Sequence, residues 1–398
     1  MLEFSHLSII LLGFIIFASL SRRIEVSIIT LPMVFTAFGW LIGQGGAQFV
    51  PMYAEHEVIH IIAEITLILV LFSDASRVKL RELRKNYSIP ARMLFIGMPL
   101  TILLGTIVAH WVSPDAPWVV ALLVAAILTP TDAALGQIVV TSPVVPLPLR
   151  QGINVESGLN DGLALPVVMI AAIISAELAG TKVEGLPGNV FVFALMQVVL
   201  GPLVGIGIGY LFARLLDVVI NAHLITAVFQ GIYFLCVAFL AFSAAELIGG
   251  NGLIAAFVGG LVFGNTLRNS SSFIKEFMDS EGQLLTMFTF LIFGAVMVPL
   301  GIEHANWKTV VLAILYLSVI RMLPIWLSLT GSGLNHYEKI FLGWFGPRGL
   351  ASILFALIIL ERFEIPGREE ILACVVLTVM MSIVLHGISA NPMAARFK

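Results

Sequence analysis

Residues 151–162, QGINVESGLNDG, set Glu156, Ser157, Asn160 and Asp161 inside a long apolar run. A charge at the centre of a bilayer costs about 2.5–3.5 kcal/mol on insertion scales and more on others, so two acids there require a reason. On a helix each residue advances about 100°. Ser157 and Asp161, four apart, therefore share one face, and Glu156 and Asn160 share a neighbouring one. The spacing predicts two polar stripes, one binding a cation and the other holding the protein together. A second polar cluster, Thr129-Pro130-Thr131-Asp132, interrupts the preceding apolar run. If Asp161 and Ser157 face that interruption, they meet Asp132 and the carbonyls freed around Thr131. Carboxylates, a hydroxyl and carbonyls make the all-oxygen set that a hard cation requires.

Those residues must be positioned by membrane-spanning helices. Of 398 residues, 59% are hydrophobic and 11% charged, against about 25% charged in soluble domains. The chain therefore reads as an all-α polytopic membrane protein. Apolar runs long enough to cross a bilayer fall near 5–20, 27–43, 58–74, 90–112, 117–140, 149–177, 189–213, 223–247, 251–267, 283–300, 309–330, 338–360 and 370–388. That is about 13 spans. Lys and Arg in alternate loops then divide fourteen to four, which predicts an outside N-terminus and an inside C-terminus. The basic loop RVKLRELRK at 77–85 fits this orienting role. The first span lacks a basic leader and a small-residue cleavage site, so it reads as a retained helix.

The fifth span is broken by TPTD and the twelfth by Gly346-Pro347-Arg348-Gly349. Proline removes a backbone donor and glycine loosens a helix. Freed backbone at membrane depth is tolerated only where protein or water lines it. With residues 5–177 and 223–388 as inverted repeats and 189–213 as a linker helix, the breaks fall at equivalent positions. Paired broken helices of this kind point to a secondary transporter's binding site. The chain reads as a single membrane domain, 1–398, with no soluble regulatory domain.

The other deep ionisable residues are Arg321 and Arg348, with Glu64 and Asp74 in the third span. Buried acids and arginines need partners. Glu156 and Asp161 point about 140° apart, so one arginine cannot neutralise both. A carboxylate that takes either a proton or a cation is sufficient for exchange without a separate proton path.

Several signals lead elsewhere. HEVIH at 56–60 fits the HExxH zinc-protease pattern, but no third-ligand region follows. Two intramembrane aspartates suggest an aspartyl protease, yet the second lies in LNDG, not the glycine-x-glycine-aspartate form. Gly201, Gly205 and Gly209, and Gly260 and Gly264, recur every four residues as in close helix packing. Asn269-Ser270-Ser271 fits a glycosylation site on an inside loop. Trp40, Trp111 and Trp118 read as interface anchors. Cys236 and Cys374 in apolar runs indicate neither a disulfide nor a metal cluster.

ESGLNDG at 156–162 resembles the signature of the NhaP-type monovalent cation/proton antiporters, related to eukaryotic sodium–proton exchangers. TPTDAALG at 129–136, SVIRMLP at 318–324, FGPRGLAS at 345–352 and GGNGLIAAFVGGLVFGN at 249–265 match in kind and order. The resemblance implies that Asp161 alternately holds cation and proton. Asp132, Ser157 and the Thr131 backbone would complete the shell of a bound Na⁺. Asn160 would mark the electroneutral group. Glu156 would pair with Arg321, and Arg348 would compensate charge near the twelfth-span break. Asp74 would correspond to an acid at the inner end of the third span. The implied fold is a homodimer whose six-helix core moves across the membrane beside a dimerisation domain.

The expected function is Na⁺ (or Li⁺)/H⁺ antiport in the plasma (inner) membrane, with no cofactor and no nucleic-acid partner. A K⁺/H⁺ antiporter of the same architecture is the alternative, and an ion channel or membrane protease a distant one. Ala133 stands where many relatives have proline after the aspartate.

Overall fold

A computed structural model describes residues 4–25, 29–47, 49, 57–78, 80, 87–132, 135–180, 190–268 and 272–397. His56 and the side chains of 57–60 lie outside it, as do Lys79, Arg81, Arg84, Lys85, Ala133, Lys182 and 269–271. The described residues are mostly helical, and no strand is found among them.

The first four helices are α1 (Phe4–Glu25), α2 (Leu31–Ile42), α3 (Glu57–Arg77) and α4 (Ser88–Val112). Thr30 caps α2 by accepting from Met33 N–H. The fifth span is two pieces, α5 (Trp118–Ile127) and α6 (Gln137–Thr141), and the sixth is the long helix α7 (Leu147–Leu178). Then come α8 (Val190–Asn221), α9 (Ala227–Leu247) and α10 (Gly252–Thr266). Helix α11 passes continuously through Ser272–Ile292, Phe293–Met297 and Val298–Glu303. Helix α12 (Trp307–Leu317 and Val319–Ser328) bends at Ser318. The twelfth span is again two pieces, α13 (His336–Trp344) and α14 (Leu350–Arg362), before α15 (Arg368–Ala394).

Seven of these helices are long and apolar enough to cross a membrane. Five shorter apolar helices lie in α1, α2, α5, α10 and α14. Together with α3 they coincide with the 13 apolar runs, and both breaks fall where proline interrupts the run.

Glycine sets how closely the helices approach. On α8, Gly201 and Gly205 lie against the carbonyls of Asn251 and Ala255, where an added Cβ would stand 2.8 and 2.6 Å from oxygen. The opposite side of α10 meets α3, with Gly260 on the Phe72 carbonyl and Gly264 on that of Ser76. Helix α10 is thus pressed between two backbones. Its own N-terminus is closed by Asn251, which accepts from Ile254 N–H at 2.9 Å, and by Glu246, which accepts from Gly252 N–H at 2.8 Å.

One apolar core runs through most helices. A smaller cluster, including Met93, Leu149, Ile325, Phe341 and Phe345, packs the starts of α4 and α7 against α12 and α13. Between these clusters the two broken spans meet.

Candidate functional site: the crossing of two broken helices

Helix α5 ends where Pro130 cannot donate to the preceding turn. Thr129 turns its hydroxyl back to the Ala125 carbonyl at 2.6 Å. Residues 130–132 have no regular structure, and backbone freed there is taken up by the other broken span. Asp132 N–H donates to the Pro347 carbonyl at 2.8 Å. Leu350 N–H, in the first turn of α14, donates to Asp132 Oδ2 at 3.0 Å. Ser352 Oγ donates to the Ile127 carbonyl at 2.7 Å.

Arg348 is fully buried. Its Nη1 donates to the Leu128 carbonyl and lies 3.4 Å from that of Pro130. The arrangement is reciprocal: an acid from the first break sits at the N-terminus of α14, and a cation from the second sits at the C-terminus of α5. Each placement favours the local helix dipole. Arg348 therefore compensates the end of α5 and not its own helix, because its side chain crosses to the opposite break.

Helix α7 lies alongside. Ser157 Oγ donates to the Thr131 carbonyl at 2.7 Å, and Asn160 Nδ2 donates to Thr131 Oγ1 at 2.6 Å. The two stripes on α7 are therefore not divided as the spacing suggests. Ser157 and Asn160 are three residues apart, neighbours on the helix surface, and unwound Thr131 offers its carbonyl to one and its hydroxyl to the other. Both help to hold the break.

Asp161 is half-buried, with Oδ1 enclosed and without a hydrogen-bond partner. It lies within electrostatic reach of Asp74 and Asp132. Asn160 Oδ1 is enclosed and unpartnered too. Asp74, on α3, also feels Asp132 and Arg77, and its backbone carbonyl is 3.7 Å from the Cβ position of Gly158. Three carboxylates from three spans thus lie within electrostatic reach of one another. No three His, Cys, Asp or Glu side chains converge closely enough to hold a metal ion among the described residues. A cation here would draw on two carboxylates at most, together with hydroxyl, carbonyl and water oxygen.

Beside the second break, Glu156 and Arg321 form a two-point ion pair at 2.5 and 2.7 Å, each about 1% exposed. Arg321 follows the bend at Ser318, so the pair ties α7 to α12. Gly346 lies directly against the Arg321 guanidinium and Gly349 against the Asp132 carboxylate; a Cβ at either would collide. The two glycines of the GPRG run therefore make room for charged neighbours besides loosening the helix. The spacing gave no hint of this, nor of Ser382 and His386 on α15, which support the second break. A lone histidine deep in an apolar span was the available signal.

The model of the family described as sodium/hydrogen exchanger, transmembrane, matches residues 8–396. The chain belongs to the sodium/hydrogen exchanger family. Family members with curated sequences include the K(+)/H(+) antiporter NhaP2 of Shewanella sp. strain ANA-3, 22% identical over 96% of this chain and 64% of NhaP2. The Na(+)/H(+) antiporter NhaH of Halobacillus dabanensis is 29% identical over 76% of this chain and 74% of NhaH. The chain thus spans a little under two thirds of NhaP2, 64%. The solved structure of the sodium proton antiporter MjNhaP1 from Methanocaldococcus jannaschii at pH 8 superposes with a TM-score of 0.79 at 19% identity, covering 97% of both chains. That likeness fixes the exchanger-family fold, and with the apolar helices it makes this a multi-pass membrane protein.

Proposed function

We propose that the chain exchanges a monovalent cation for protons by letting both compete for Asp161. The observation that carries this is an enclosed Asp161 oxygen without a protein partner, within electrostatic reach of Asp132 and one helical turn from Ser157, which donates to unwound Thr131. A proton or a cation supplies what that oxygen lacks, and the two cannot be held together. Asp132, Ser157 and Thr131 contribute the remaining oxygens of the cation site, with Asp74 within electrostatic reach. For Ser157 and the Thr131 carbonyl to bind, each adds a cation to its mutual hydrogen bond, which leaves the carbonyl a second lone pair.

The cation is Na⁺ or Li⁺ in this reading. A second reading, K⁺, is supported by NhaP2, which is named a K(+)/H(+) antiporter. Exchange is electroneutral, one cation per proton, because Glu156 stays paired with Arg321 and Asn160 supplies no second acid. Residues 5–177 and 223–388 act as inverted repeats about the linker helix 189–213, and access alternates as a six-helix core moves across the membrane beside a dimerisation domain. The protein works without a cofactor, as a homodimer in the plasma membrane, with its N-terminus outside and C-terminus inside.

Proton flux in sealed vesicles, with Na⁺, Li⁺ and K⁺ gradients imposed in parallel, tests the reading. Flux with one or more cations, lost in Asp161→Asn, is the expected result. Undiminished flux in that variant would overturn it. Identical rates at different clamped voltages test electroneutrality.

A further inference from the structure

The interruption between α13 and α14 leaves backbone groups at both of its ends, and α15 supplies partners for both. Ser382 and His386 lie one turn apart on α15, each about 1% exposed or less. Arg348 N–H donates to Ser382 Oγ at 2.7 Å. His386 Nδ1 is 3.1 Å from that same hydroxyl and 2.9 Å from the Ser382 carbonyl. Its Nε2 is 2.8 Å from the carbonyl of Trp344, the last residue of α13. The Trp344 indole in turn donates to Ser389 Oγ at 2.8 Å.

The Trp344 and Ser382 carbonyls can both only accept, so a neutral ring donates to one of them. With the hydrogen on Nε2 it donates to Trp344 while Nδ1 accepts from the Ser382 hydroxyl, two hydrogen bonds against the one to a carbonyl that an Nδ1 hydrogen would give. Nδ1 is then a lone pair, and the Ser382 hydroxyl donates to it while accepting from Arg348 N–H. One unbroken chain results, from Arg348 N–H through the Ser382 hydroxyl and His386 to the Trp344 carbonyl, with the Ser382 carbonyl left facing the Nδ1 lone pair. The reversed tautomer would satisfy the Ser382 carbonyl instead, but would set a lone pair against the Trp344 carbonyl and take Nδ1 away from the Ser382 hydroxyl. A doubly protonated ring would add a positive charge within electrostatic reach of Arg348 and Arg321.

We propose that His386, as its neutral Nε2–H tautomer, acts with Ser382 as a positioning residue for ion exchange, clamping both ends of the twelfth-span break. The proposal rests on the antiport reading given above. His386 does not touch the ion. It fixes the stretch Phe345–Gly349, and with it the point at which the Arg348 guanidinium meets the α5 carbonyls and Leu350 N–H meets Asp132. A shift at the clamp moves the carboxylate that the cation must find.

Two measurements on the full-length protein test this. In protein carrying ¹⁵N-labelled histidine, the ring signal missing from His386→Gln should show a protonated Nε2 and an unprotonated Nδ1; a protonated Nδ1 would overturn the assignment. In vesicles, cation-dependent proton flux is compared across variants that elute and melt like the parent. His386→Gln, whose amide reaches the Nε2 position, should keep its maximal rate within about threefold of the parent. His386→Asn, whose amide stops at the Nδ1 level, and Ser382→Ala should each lose about tenfold or more in maximal rate with little change in apparent cation affinity. The double variant should be no worse than His386→Asn alone, as expected of residues acting as one unit. An Asn variant as active as the Gln variant sinks the proposal. Parent protein that moves none of Na⁺, Li⁺ and K⁺ sinks the antiport reading and the positioning role together, while the labelled ring still decides the tautomer independently.

Discussion

Leu350 offers its backbone N–H to Asp132 Oδ2 at 3.0 Å, so the acid from one broken helix closes the N-terminus of the other. Asp132 thus has two duties, one for the fold and one for the ion. Asp132→Asn keeps an acceptor oxygen and removes the charge. Its melting temperature should stay near the parent value while exchange falls by about tenfold or more. Asp132→Ala also removes the acceptor and should cost a further ~1–2 kcal/mol of stability, as loss of a helix cap does. Denaturation and vesicle flux, measured on both variants, separate the two duties.

Glu156 and Arg321 form an ion pair with almost no exposure. Glu156→Ala leaves a buried guanidinium without its carboxylate and should cost about 3–5 kcal/mol. Replacing both residues by apolar ones of similar volume, Glu156→Leu with Arg321→Met, should be far less costly than the single change. A single variant as stable as the parent would show that the pair does not tie α7 to α12.

Gly349 and Gly346 leave no room for a methyl group beside Asp132 and Arg321. Gly349→Ala should lower exchange more than Gly346→Ala, because it displaces a carboxylate of the proposed ion site. Gly207 on α8 has nothing within 4 Å of its Cβ position. There alanine should be neutral or slightly stabilising, by up to ~1 kcal/mol, through helix propensity alone. Equal effects at 349 and 207 would count against the crowding argument.

Competition between proton and cation has a definite sign. On the acidic side of the Asp161 titration, each unit fall in pH should raise the apparent cation KM about tenfold, leaving the maximal rate at saturating cation little changed. On the alkaline side the KM should level off. A KM independent of pH throughout would mean that the two do not share a site.

The fold was largely open to reading because lipid imposes so few solutions. Runs of apolar residues had to be helices, and Pro130 and Pro347 had to break them at depth. The acids on α7 stood out for the same reason. What the chain could not disclose was which break faces which. Arg348 and Leu128 lie 220 residues apart, and no periodicity within either span tells that the guanidinium of one caps the other. Spacing put Ser157 on the face of Asp161, but spacing reports faces, not the hydroxyl and carbonyl that unwound Thr131 presents to α7. His386 passed unnoticed among apolar neighbours, since its importance comes from the carbonyl of Trp344, brought to it only by folding.

Helix α10 meets α8 on one flank and α3 on the other through glycine, main chain against main chain. Side chains normally act as a lubricating layer between helices, able to change rotamer while their axes slip. At Gly201 and Gly205 on one flank and Gly260 and Gly264 on the other, that layer is missing where carbonyls meet the glycines. The three helices are consequently keyed together like planks of one hull, and any stroke that carries Asp74 across the membrane must take α8 and α10 along with it.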